Sequence, residues 1–173
     1  MKLKIITTIT LLLIASLATP ILAKNVEELQ QFLEDPLKVC QGCDFSGVDL
    51  SNIIRRTARL RQTNLKNADL SNSNFSGSYF TCADLTNANL QNINLQWSNL
   101  VDANLSGADL RGADLRKTDL SGAIFDGALT EGVKLEGAKM PDGATLYDGR
   151  GLESFQPRPI LSQRRFQCLG DQK

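Results

Sequence analysis

Residues 83–122 read ADLTN ANLQN INLQW SNLVD ANLSG ADLRG ADLRK TDLSG, eight consecutive cassettes of five residues without an insertion. The same phase extends in both directions, so that Cys43 to Asp142 divides into twenty cassettes. Repetition at a fixed period decides the architecture ahead of any local propensity. The cassette centres are residues 45, 50, 55 and onward to 140, and eighteen of the twenty are Leu, Phe or Met, with Arg55 and Thr130 departing. A small or β-branched residue stands two positions before each centre, as at Ala68, Ala83, Ala88, Ala103, Ala108 and Ala113. Asp or Asn lies between the two in thirteen cassettes.

In extended chain, residues two apart project to the same side, so the small residue and the large apolar one face inward while the Asp or Asn between them faces water. A repeat of five cannot keep that parity unless the chain bends once per cassette. The last position of the cassette is Gly in eight cases and Asn in five, the residues that best tolerate the positive φ of a tight corner. Extended pieces joined by corners make a coil. An amphipathic helix is excluded, because a period of five fits neither 3.6 nor 3.5.

These cassettes resemble the pentapeptide-repeat family, whose motif is A(D/N)LXX. The resemblance implies an all-β fold, a right-handed quadrilateral β-helix with four cassettes per coil, and hence about five coils for residues 43–142 in a column about 24 Å long. Residues 20 apart would then stack. Leu65, Leu85 and Leu105 form one inner row with Phe45 and Phe125 at its ends; Phe75 lies with Leu95 and Leu115, and Phe80 with Leu100 and Leu120. The stretch Cys40-Gln-Gly-Cys43-Asp-Phe-Ser-Gly also resembles the opening of many exported cyanobacterial members, which implies a periplasm or thylakoid lumen.

The flanks read differently. Lys2 and Lys4 precede an apolar run from Leu11 to Leu22 that ends in small residues at Ala23, so residues 1–23 read as a secretory signal peptide cleaved after Ala23. Polar residues and Pro20 interrupt the run, leaving it short of a membrane span. Residues 24–42 read as an N-terminal capping helix and linker: Asn25 is placed to cap the first turn with Glu28 three residues on. Val26, Leu29, Phe32 and Leu33 fall on one face, and Pro36 ends the helix. Residues 143–173 read as a C-terminal cap and irregular tail, with Leu146, Tyr147, Leu152 and Phe155 as apolar anchors.

Export makes disulfides credible among the four cysteines. Cys40 and Cys43 are expected to bridge, since a reactive Cys-x-x-Cys pair sits at a helix N-terminus and this one precedes extended chain. A Cys82–Cys168 bridge would tie the tail to a corner of the column, although spacing alone does not place the two together. A four-sulfur zinc site lacks a second Cys-x-x-Cys, and no metal or cofactor is expected. Arg55, Arg56, Arg59 and Arg61 crowd the least regular part of the repeat. Arg55 stands in a core position, where an unpaired charge is costly, so a local bulge or a carboxylate partner is expected there. Arg56, Arg59, Arg61 and Trp97, the last at an outward corner between Gly77 and Lys117, are candidate partner contacts.

Composition narrows the function. The chain has 173 residues, 19 basic and 19 acidic, and no His, which removes imidazole acid–base chemistry. Zero net charge gives no long-range pull toward nucleic acid. Three classes follow: a noncatalytic structural or protein-interaction module with an unknown protein partner, a nucleic-acid mimic that inhibits a DNA enzyme, and a thiol redox protein using Cys40 and Cys43. The first is favoured. A mimic needs an acidic surface, and a signal peptide takes the chain away from DNA enzymes.

Overall fold

The computed structural model describes residues 20–143 and Cys168; the expected signal sequence up to residue 19 and most of the expected C-terminal cap and tail lie outside the described residues. Parallel bridges pair residue i with residue i + 20 without interruption from Val39↔Arg59 to Asp119↔Lys139. With one corner every five residues, that offset gives four sides to each turn. Each turn is tied to the next by backbone hydrogen bonds such as Phe45 N–H to Asn64 O at 2.7 Å and Asn64 N–H to Cys43 O at 2.9 Å. The sides are called faces A to D, with centres at 45, 65, 85, 105, 125 (A); 50, 70, 90, 110, 130 (B); 55, 75, 95, 115, 135 (C); and 40, 60, 80, 100, 120, 140 (D).

Corner geometry follows the residue types. Every fifth residue from Gly42 to Gly137 has positive φ, and most are Gly or Asn, which reach that region with little strain. Thr57, Cys82, Trp97 and Lys117 occupy the same conformation at φ of 59 to 62°, so these residue types are held by the ladder against their own preference.

The interior is apolar. Leu, Phe and Met centres on all four faces are buried, together with the Ala residues two positions before them. Where Ser or Thr takes the small position its hydroxyl donates to a main-chain carbonyl, as from Thr63 to Cys40 at 2.7 Å and from Ser73 to Leu50 at 2.6 Å. Among the described residues no buried side-chain polar atom lacks a partner. Phe125, expected to end the face A row inside the core, is only half-buried.

Three expectations about the N-terminal side need correction. The ladder starts at Val39, one cassette before the expected Cys43, because Cys40 acts as a small buried hydrophobe in the first rung. The helix, α1 (Pro20–Glu34), runs through Asn25 instead of starting there. Pro20 suits a first helical position, and residues 21–24 contain no helix breaker, so the Ala23–Lys24 bond lies inside α1. Finally, Leu33 is exposed, whereas Phe32 is fully buried and packs its ring 5.5 Å from that of Phe45. The chain leaves the helix before Pro36, as steric conflict with a proline ring requires. Asp35 then accepts the Leu37 and Val39 N–H groups at 2.8 and 3.2 Å.

Candidate functional site

The outward row explains itself once the corners are seen. In all thirteen cassettes with Asp or Asn before the centre, its Oδ1 accepts the N–H of the residue two positions on. This Asx turn satisfies a corner donor. The expected water-facing role is therefore secondary, and side chains also link turns, as from Asn64 to Asp44 at 2.9 Å.

Against that rule the exceptions stand out. Between residues 64 and 119 Tyr79 alone replaces the Asp or Asn. On face D the three successive rungs Val39, Arg59 and Tyr79 all lack the Asx group, and they line a groove of about 320 Å³ with Gln41 and Arg61. Val39 is 40% exposed and Tyr79 48%. Three adjacent rungs thus give up a corner hydrogen bond and present aliphatic, cationic and aromatic groups to solvent. Tyr79 was not singled out from the sequence; its signal is the break in the Asp/Asn row.

The predicted residues gather around the same face. Arg59 lies on face D and Arg61 at the corner that ends it, while Arg56 and Trp97 sit at the corner leading into it. Trp97 is 63% exposed, with the Lys117 ammonium 4.0 Å from its ring centroid, a cation–π contact. Arg56 donates from Nε to Ser76 Oγ at 3.2 Å. Arg55 makes neither a bulge nor an ion pair among the described residues: its rung is regular, with its N–H on Asn74 O at 2.8 Å, and its guanidinium lies 5.6 Å from the Phe32 ring centroid. The α1 ring gives the charge a π face and lets it stay partly solvated.

The cysteines are paired as Cys40 with Cys43 and Cys82 with Cys168. Cys168 is also held by Gln62, whose Nε2 donates to its carbonyl at 3.2 Å, at the far edge of face D. Asp102 brings a carboxylate oxygen within 4.8 Å of Cys82 and Cys168 Sγ. With the sulfurs bonded to each other that trio offers no thiolate to a cation.

Elsewhere charge is neutralised locally. Arg111 reaches Asp109 and Arg116 reaches Asp114, each at 2.6 Å. The side-chain hydrogen bond from Arg111, opposed by burial and aided by bonds from the Arg111 N–H and Gln91, lowers the Asp109 pKa to about 2. The same causes, led by Arg116, lower Asp114. Such carboxylates are poor proton carriers near neutrality.

The model of the family described as pentapeptide repeats matches residues 58–96 and 88–127, with eight copies. Over residues 58–127 the chain is similar to the pentapeptide-repeat family. Its neighbours in structure are pentapeptide-repeat proteins whose architecture implies a right-handed quadrilateral β-helix here. One, from the Arabidopsis thaliana thylakoid lumen, is 26% identical with a TM-score of 0.54, over 55% of this chain and 66% of that one, just under two thirds of its length. Another, from Nostoc PCC 7120, is 23% identical with a TM-score of 0.52, over 62% of this chain and 92% of that one, and shows the fold alone. QnrB1, a plasmid-mediated fluoroquinolone resistance protein, is 19% identical over 76% of this chain and 87% of that one, with a TM-score of 0.28, too low to carry an argument. No curated protein matches the chain. No helix among the described residues is long and apolar enough to cross a membrane.

Proposed function

We propose that this protein is a noncatalytic protein-interaction module of an exported compartment, a periplasm or thylakoid lumen, and that it binds its partner through face D. On this reading about five coils form a rigid post and α1 closes its N-terminal end. The observation that carries the proposal is the run Val39, Arg59 and Tyr79. Ile54, Ile124, Leu129, Lys134 and Lys139 also replace the Asp or Asn, but only face D gives up that corner hydrogen bond on three successive rungs, and a binding surface accounts for the run. Absence of His, and carboxylates held by guanidinium and backbone donors, support a noncatalytic role. Export rests on the N-terminal sequence and the paired cysteines, and the lumenal neighbour is consistent with it.

The test is capture from the exported fraction with the full chain, set beside Tyr79→Ala and Trp97→Ala. A partner retained by the native protein and lost from the Tyr79 variant is the expected result, and equal retention by all three would sink the assignment to face D. Mass spectrometry of the native protein should find Lys24 or a close neighbour at the N-terminus; an intact Met1 in a cytoplasmic fraction would remove the export claim. Mimicry of nucleic acid gains nothing from this surface, where Arg59 and Arg61 make the exposed groove cationic.

A further inference from the structure

Two of the exposed arginines differ from the rest in what surrounds them. In the cassettes 108–112 and 113–117 an Arg following the centre folds back on the Asp before it. The cassette Ala58-Arg59-Leu60-Arg61-Gln62 puts Arg in both places. Among the described residues no carboxylate lies within ion-pair distance of Arg59 or Arg61. Arg59 and Arg61 hold the cassette positions of Asp109 and Arg111, whose side chains reach one another, so the two guanidiniums leave the column on the same side. The ladder fixes both backbones, so the two like charges share one small area of surface, and an anionic partner would relieve their repulsion.

We propose, building on the face D reading, that this groove binds an extended acidic segment of a partner protein. Arg59 and Arg61 would hold carboxylates on alternate residues, while Val39 and Tyr79 would cover an apolar or aromatic side chain beside them. An extended peptide repeats its side chains on one side at the same two-residue spacing as the arginine pair, so the two charge rows fall in register. The column's main-chain groups are already used between turns, so the peptide is recognised through side chains and not by adding a strand. Charge-assisted guanidinium–carboxylate bonds give both orientation and strength, and a preformed platform loses little freedom on binding.

The experiment is calorimetric titration of the full chain with a synthetic peptide of alternating Glu and Ser with a central Tyr, against the same peptide with Gln for Glu. The Glu peptide should bind and the Gln peptide should not. Arg59→Gln or Arg61→Gln should weaken binding about tenfold each, and Tyr79→Ala by a smaller factor. Raising salt from about 50 to about 500 mM should weaken it further. Reversal to Arg59→Glu with Arg61→Glu should transfer binding to a Lys peptide. Absence of binding, or binding indifferent to both Gln variants, overturns the proposal. So does competition by inorganic phosphate at the peptide's own concentration, which would mark a free-oxyanion site, or binding that appears only in Asp171→Asn, which would make the chain's own tail the occupant. Capture of an exported partner that is lost with Tyr79→Ala and unchanged with Arg59→Gln and Arg61→Gln would leave the interaction module standing and remove only this acidic specificity.

Discussion

Asn94 and Leu95 are neighbours in sequence and opposites in surroundings. Leu95 is buried at mid-column between Phe75 and Leu115, so Leu95→Ala should cost about 2 to 5 kcal/mol through lost transfer energy and an unfilled cavity. Asn94 accepts the Gln96 N–H at 3.0 Å, and Asn94→Ala should cost about 0.5 to 1.5 kcal/mol, the worth of one hydrogen bond near the surface. Urea unfolding of the two variants measures both, and equal losses would mean that the inward and outward assignments are wrong. Thr57 makes a complementary case. It is a β-branched residue at φ 61°, a conformation costing about 1 to 2 kcal/mol for such a side chain. Thr57→Gly should therefore stabilise the protein by about 0.5 to 1 kcal/mol after the larger chain entropy of glycine is counted. A lower urea midpoint for this variant would show that the Thr57 side chain contributes more than its strain removes.

At the scale of the cassette, the Asx turn and the arginine that folds over it act as one unit. The folded-state pKa of Asp109 is lowered to about 2, below the ~3.9 of an unfolded chain. A lowered carboxylate pKa stabilises the fold above the unfolded value, and that contribution is lost as pH falls from about 4 to about 2. Arg111→Ala should consequently lower the urea midpoint at pH 7 and converge on the native protein near pH 2. A gap of the same size at both pH values would show that Arg111 acts by packing alone. The contrast with cassette 58–62 belongs to this scale as well: one exchange of Asp for Arg turns a self-neutralised unit into an open cationic one.

For the whole molecule, the two cysteine pairs should differ in weight. The Cys40–Cys43 pair closes a separation of 3 residues and the Cys82–Cys168 pair one of 86. Loop-closure entropy grows with length, so Cys82→Ser should cost about 2 to 4 kcal/mol and Cys43→Ser under about 2 kcal/mol. Thermal unfolding under oxidising conditions measures the order. A larger loss from Cys43→Ser would mean that the tie at residue 168 does little to restrain the chain. Phe32, Phe45 and Arg55 show a second long-range effect, since a helix outside the repeat supplies the ring beside a charge placed at a core position.

The five-residue period, the buried centres and the positive-φ corners were legible in the sequence, because each is a local demand: parity of extended chain, burial of an apolar side chain, and the φ range open to Gly and Asn. A family resemblance supplied the four sides, which periodicity alone does not give. The start of the ladder was not legible, since Cys40 lacks the A(D/N)L signature and becomes a core residue only when a rung lies beneath it. The partner of Arg55 also escaped, being an aromatic ring 23 residues away in another element. Above all, Arg59, Tyr79 and Val39 lie 20 residues apart along the chain and become neighbours through the turn-to-turn stacking of the column. Sequence by itself determined the repeat and its inward face, whereas only the tertiary structure decided which outward residues share a surface, because adjacency across the ladder depends on the number of residues per turn.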